Sequence, residues 1–158
     1  MRQDKIVEID ETDRRLLRLI QRDGRLTNAE LSEAVALSPS ACHRRIQRLE
    51  ADGVIAGYVA RLEPGAVGRM TTVFVEIGLS GQADEVLDAF ERGVSQIPDV
   101  LECHLMAGSA DYLLKVAARD AQDFANIHRQ KLARLPGVAR MQSSFSLKEV
   151  RNTTALPV

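Results

Sequence analysis

Cysteine is scarce in this chain, two among 158 residues, which excludes a disulfide framework. Cys42 falls in an expected helix and Cys103 in an expected strand, so the pair lacks a metal-ligand spacing, and both read as small buried apolar residues. No apolar run approaches the length that spans a bilayer, and the opening MRQDKIVEID is too charged for a signal peptide. A cytoplasmic location with no membrane partner is the expectation. No Gly-rich phosphate loop, nucleophile elbow or metal cluster occurs, so no cofactor is expected. An excess of either charge is missing too: the net charge is −1, and residues 1–60 hold ten Lys or Arg against ten Asp or Glu. Any case for nucleic acid must therefore rest on local placement. What is present, 45% hydrophobic and 27% charged residues, is a soluble globular balance that excludes disorder and fibrous classes.

Three helices carry their own start and stop signals. The first follows Asp10, an N-cap with Asp13 three positions on; Leu16 or Leu17 with Ile20 gives its apolar stripe, and Asp23-Gly24 ends it with glycine in a left-handed C-cap. The second opens with the capping box Thr27-Asn28-Ala29-Glu30 and stops near Ala36. The third begins at Ser38-Pro39, with proline at the one helical position where its missing amide is harmless, and runs to Gly53. A short helix, a tight turn and a longer basic helix make a helix-turn-helix, whose second member enters the major groove of DNA. The basic stretch is Ser38 to Leu49, with His43, Arg44, Arg45 and Arg48 and no acid.

Beyond Gly53 the pattern changes. Residues 54–62 read as a wing or linking strand ended by Glu63-Pro64-Gly65. Val73, Val75, Ile77 and Leu79 then alternate on a strand, and Val86, Phe90, Val94 and Ile97 mark one face of a helix. A strand Val100 to Ala107, a turn at Gly108-Ser109-Ala110 and a strand Asp111 to Ala118 make a hairpin. A helix over about Ala121 to Arg134 follows, whose Lys131 must snorkel or find a partner, and Pro136-Gly137 opens a last strand from Val138 to Val150. The fold class is α+β: an N-terminal winged helix-turn-helix and a C-terminal ferredoxin-like βαββαβ sandwich, with one sheet face left for a partner. The expected divisions are 1–53, a hinge at 54–69, an effector and oligomerisation domain at 70–151, and a tail at 152–158.

On a helical wheel, Cys42, Ile46 and Leu49 share the buried arc of the third helix, with Ser40, Arg44 and Gln47 opposite. Arginine pairs with guanine and glutamine with adenine, so Ser40, Arg44 and Gln47 are assigned to base edges and Ser38, Arg45 and Arg48 to the DNA backbone. His43 flanks the same face. A solvated basic helix face is the bland alternative. In the second domain, Met106, Gly108, Ser109, Ala110, Asp111 and Tyr112 are the candidate effector site: Gly108 lets amides turn toward a carboxylate, and Asp111 offers a counter-charge for an ammonium group. An α-amino acid carries both groups; a plain hairpin turn is the alternative.

The order of these parts, with Asp10-x-x-Asp13, Asp23-Gly24-Arg25, Leu37-Ser38-Pro39-Ser40-x-Cys42-x-Arg44-Arg45-Ile46, Arg48-Leu49-Glu50-x-x-Gly53-Val54-Ile55-x-Gly57-Tyr58, Glu102-Cys103-His104-Leu105, Gly108-x-x-Asp111-Tyr112-Leu113-Leu114 and Leu135-Pro136-Gly137-Val138, resembles the leucine-responsive and asparagine-responsive regulator family, Lrp/AsnC. The resemblance covers nearly the whole chain. It implies a nucleoid-associated transcription regulator, a homodimer packed sheet to sheet and assembled to octamers, an amino acid bound between dimers, and a place for Ser144 at that pocket. Dimerisation implies a two-fold symmetric operator with half-sites one helical turn or a multiple apart. Ser109 stands where many relatives carry an acid, so no particular effector follows. Two rival readings stand beside this one. An enzyme built on Cys103, His104 and Asp111 is disfavoured because neighbouring strand residues point to opposite faces. An architectural DNA-coating protein indifferent to ligand is the other.

Overall fold

Asp10, Thr27 and Ser38 each sit one residue ahead of a helix and cap it with the side chain. In the computed structural model, which describes residues 7–158, the Asp13 amide donates to the Asp10 carboxylate at 2.8 Å and the Asp10 amide to Asp13 at 3.3 Å, opening α1, Glu11–Arg22. The Thr27 amide donates to Glu30 at 2.7 Å and the Glu30 amide to the Thr27 hydroxyl at 3.3 Å, opening α2, Asn28–Ala34. Ser38 accepts from the Ala41 amide at 3.3 Å ahead of α3, Pro39–Ala51. Caps of this kind contribute about 1 kcal/mol each. The first six residues of the charged opening segment lie outside the described residues.

The helices end differently from expectation in one place. Gly24 is not left-handed; Asp23 is already extended, and a Cβ on Gly24 would lie 3.4 Å from the Tyr58 ring, so glycine there permits that ring's approach. The left-handed C-caps are instead Ala36, φ 55°, and Gly53, φ 74°. Each is closed by paired amides: Leu37 to Ser32 and Ala36 to Glu33 in one, Val54 to Leu49 and Gly53 to Glu50 in the other. Leu16, Leu31, Val35 and Cys42 form the buried core between the three helices.

Two compact units divide the described chain: 7–60 together with 151–158, and 61–150. The hinge expected at 54–69 is thus shared between them. Val54 and Ile55 donate to Leu49, and the Tyr58 hydroxyl donates to Glu50 at 2.9 Å, binding this stretch to α3. Arg69 instead pairs with Asp99 at 3.2 Å in the second unit. No strand among the described residues pairs with residues 54–62, so the expected linking strand is irregular here. The tail docks on α1: the Leu156 amide donates to the Gln21 side chain at 2.6 Å, Gln21 donates back to the Leu156 carbonyl at 3.1 Å, and Arg18 donates to the Val158 carbonyl at 2.9 Å.

The second unit runs β1, Thr71–Leu79; α4, Asp84–Val94; β2, Val100–Leu105; β3, Tyr112–Ala118; α5, Ala121–Gln130; a 3-10 turn, Leu132–Arg134; and β4, Val138–Phe145. The sheet order β2-β3-β1-β4 is antiparallel throughout, because each βαβ crossover leaves a gap that a strand of the other half fills. Val73, Val75 and Ile77 on β1 and Tyr112, Leu114 and Val116 on β3 turn one face inward, where they meet Phe90, Val94, Phe124 and Ile127 of the helices. β4 stops at Phe145 rather than Val150, since its partner β1 begins at Thr71 and Ser146 makes the final bond, to Thr72. β2 ends at Leu105, two residues early. The expected long second helix breaks after Gln130, where the ammonium of Lys131 reaches the buried Asp99 at 2.5 Å, the partner its position demanded. Cys42 is buried as expected, but Cys103 is exposed, because β2 is an edge strand with little packed over it.

Candidate DNA-reading helix and effector hairpin

Helix α3 divides into three arcs. Cys42 and Leu49 are wholly buried, with Ile46 packed beside them. Ser40, His43, Arg44 and Gln47 are exposed, as the wheel requires for groups that meet base edges. Arg44 forms no hydrogen bond or ion pair among the described residues, so its five donors are unspent. Ser38 is exposed, shares a 3.3 Å hydrogen bond with Ser40, and caps the helix whose N-terminal dipole attracts a phosphate.

The third arc departs from expectation. Arg45 and Arg48, assigned to the DNA backbone on sequence grounds, are both ion-paired within the chain: Arg45 to Asp10 at 2.6 Å and to Asp13 at 2.9 Å, Arg48 to Asp13. Asp13 is wholly buried. The Asp13 amide, and then Arg45, hold the Asp10 carboxyl below its ordinary value. Sequence inspection missed these acids as partners, since they lie 32 and 35 residues before the arginines. It also missed Asn28, whose side chain donates to the Pro39 carbonyl at 2.9 Å and fastens α2 to the first turn of α3. A cleft of about 290 Å³ lies next to it, lined by Leu26, His43, Gln47, Glu50 and Tyr58 among others. Burial, and then Glu50, push the Tyr58 phenol up to about 12.

The hairpin after β2 is closed by the Met106 amide on the Asp111 carbonyl at 2.9 Å. Met106, Gly108 and Ser109 are exposed and Ala110 half-buried. Asp111 is already engaged: its carboxylate accepts from the Leu79 amide at 2.7 Å and from Gln82 at 2.8 Å. These two bonds, in that order, lower its pKa, with Arg140 adding to them; Arg140 also donates to the Ser109 carbonyl at 2.8 Å. Gln82 and Arg140 carry no motif and could not be picked from sequence. Tyr112 is a correction: it is 1% exposed, packed at a 37° tilt against Phe90 with centroids 4.6 Å apart, and its hydroxyl donates to Glu91 at 2.7 Å. Its alternation with Leu114 and Val116 puts it in the core, and burial followed by Glu91 pushes its phenol upward. Ser144 is not brought to the hairpin by its own chain. It pairs with Phe74 on the sheet face turned away from the helices, whereas Asp111 bonds at Ile77 and Leu79, so about 16 Å of β1 separates it from the hairpin of the same chain.

Residues 9–56 match the family model for a winged helix-turn-helix DNA-binding domain, and residues 72–156 match the Lrp/AsnC ligand binding domain. The chain belongs to the Lrp/AsnC family. The leucine-responsive regulatory proteins of Escherichia coli strain K12 and Salmonella typhimurium are each 38% identical to it over 151 residues, 96% of this chain and 92% of theirs. Among solved structures, a transcriptional regulator from Neisseria meningitidis in complex with L-Met superposes with a TM-score of 0.90 at 40% identity, over 95% of this chain and 97% of the other. An AsnC family regulator from Agrobacterium tumefaciens does so with 0.90 at 38%, over 94% and 97%. A feast or famine regulatory protein from M. tuberculosis complexed with L-methionine scores 0.82 at 32% identity, over 94% and 99%. This Lrp/AsnC chain is accordingly a DNA-binding transcription regulator with a ligand-binding domain, and the enzyme reading of Cys103, His104 and Asp111 gives way to that. No helix among the described residues is long and apolar enough to cross a membrane.

Proposed function

We propose that the protein works in the cytoplasm, nucleoid-associated, as a homo-oligomer, a dimer assembled to an octamer, on a two-fold symmetric operator. Ser40, Arg44 and Gln47 read base edges, His43 flanks them, and Ser38 with the first amides of α3 meets a phosphate. The observation that carries this reading is the open arc of α3, on which Arg44 is exposed and unpaired beside Ser40 and Gln47. An α-amino acid is the effector, supported by relatives crystallised with L-Met and by the leucine-responsive regulators. The exposed backbone of the turn, Gly108 to Ala110, supplies donors for its carboxylate, and Met106 supplies an apolar edge.

Binding to the DNA upstream of the protein's own gene, followed by gel shift at fixed salt with each of the twenty amino acids in turn, tests this. One amino acid that strengthens or weakens the shift is expected. The architectural reading is favoured by one specific feature, the Asp111 carboxylate already braced by Leu79 and Gln82, which leaves fewer lone pairs for an ammonium group. A tight shift indifferent to all twenty is its signature, and absence of any shift removes the DNA assignment of α3.

A further inference from the structure

Asp13 does two things at once in the first unit. It completes the capping box of α1 by accepting the Asp10 amide at 3.3 Å, and it gathers two arginines of α3, Arg45 at 2.9 Å and Arg48. These arginines are three residues apart, one turn of the same helical ridge, so a single carboxylate fixed to α1 grips α3 along one side. Asp10 holds Arg45 from the other side at 2.6 Å. The carboxylate of Asp13 is wholly buried, while its two partners keep 31% and 45% of their side chains exposed. Buried ion pairs add little net stability over apolar packing, but they are directional, and a forked guanidinium enforces geometry. The gripped arc is next to the open arc on the wheel: roughly 40° of rotation separates Arg48 from Arg44. A small rotation of α3 would therefore swap the two arginines that face outward.

The clamp also changes the charge offered to DNA. Of the three arginines between Ser38 and Leu49, two are answered by Asp10 and Asp13, which leaves Arg44 as the unpaired one. Attraction to phosphate is independent of sequence, so cations kept off the phosphates lower affinity for all DNA while leaving the base-reading group in place. We infer that Asp13, seconded by Asp10, is a positioning residue for DNA recognition: by holding Arg45 and Arg48 against α1 it sets the rotation of α3 and withholds two cations from the phosphates, exchanging general affinity for selectivity. This rests on the assignment of Ser40, Arg44 and Gln47 to bases.

The test is fluorescence anisotropy of the full-length protein on its own upstream DNA and on random DNA of equal length, across a salt series. Arg48→Gln keeps the wild-type salt slope on both DNAs and lowers the operator-to-random ratio about threefold to tenfold. Asp13→Asn frees Arg48 and leaves Arg45 on Asp10 alone: binding to random DNA rises severalfold at low salt, the slope steepens by about 0.9, and the ratio falls. A merely structural aspartate would not move the slope upward. A slope reduced by about 0.9 in Arg48→Gln means that Arg48 already sits on a phosphate and overturns the clamp. So does a folded Asp13→Asn with unchanged slope and ratio. Thermal melts accompany both variants, and if Asp13→Asn does not fold, Arg48→Gln alone decides. Arg44→Ala separates the two levels of argument: full selectivity in that variant defeats the base-reading assignment itself, whatever Asp13 does.

Discussion

The open arc of α3 and the hairpin after β2 present their polar groups in opposite ways. On α3 the side chains assigned to DNA bases are exposed and Arg44 is unpaired, while the flanking arginines are held by Asp10 and Asp13. In the hairpin, the polar side chains nearest the turn are already joined to the chain: Asp111 to Leu79 and Gln82, Arg140 to Ser109, and the Tyr112 hydroxyl to Glu91. One surface leaves the Arg44 donors free. The other is braced, and exposes mainly backbone at the turn. The difference teaches that a run of polar residues in sequence does not say which of them are spent inside the fold.

The sharpest way to break this contrast is at Tyr112. Tyr112→Ala should remove about 3–5 kcal/mol from the unfolding free energy of the second unit, read by urea denaturation, as a large buried ring is lost. Tyr112→Phe, losing only the bond to Glu91, should cost about 1 kcal/mol and leave ligand response intact; a lost response with unchanged stability would return Tyr112 to the effector site. Arg44→Ala should cost about 1–3 kcal/mol of discrimination between operator and random DNA while the melting temperature stays put, the converse pattern.

Acid separates the units more gently. Asp10 and Glu30 in the first unit and Asp111 and Asp123 in the second have folded-state pKa values below their ordinary ones, Asp123 near 2 because of Arg119. Such groups stabilise the fold above their unfolded values near 4, and that contribution is lost as pH falls through the folded values. Stability should thus decline from about pH 4 downward, with the Asp123 contribution persisting longest, as an NMR titration of its carboxyl would register. The smallest expected effect is at the tail. Gln21→Ala removes both bonds to Leu156 and should cost about 1 kcal/mol or less, seen as faster hydrogen exchange of the Leu156 amide; an unchanged rate means the tail is held by other contacts.

Much of the fold was legible because its signals are local. The caps at Asp10, Thr27 and Ser38 need only the next three residues, and alternation at Val73, Val75 and Ile77 needs only the pleat. Even Tyr112 could have been placed inside, since it shares its parity with Leu114 and Val116. Arg45 and Arg48 could not be placed from sequence, for the carboxylates that hold them arrive from α1, 32 and 35 residues earlier, and not from Glu50 or Asp52 nearby in the chain. Nor could the linking strand be rejected, because a β-rich stretch becomes a strand only where a neighbour supplies hydrogen bonds.

By itself the sequence determined the element order, the open arc of α3, the alternating core of the sheet and the family to which the chain belongs, all properties of residues within a few positions of one another or of their order. The tertiary structure decided which charges remain available. Whether an arginine meets a phosphate or an aspartate, and whether an aspartate meets an ammonium group or a backbone amide, depends on what the fold brings within about 3 Å, and electrostatic pairing at that range is set by folding back rather than by proximity along the chain.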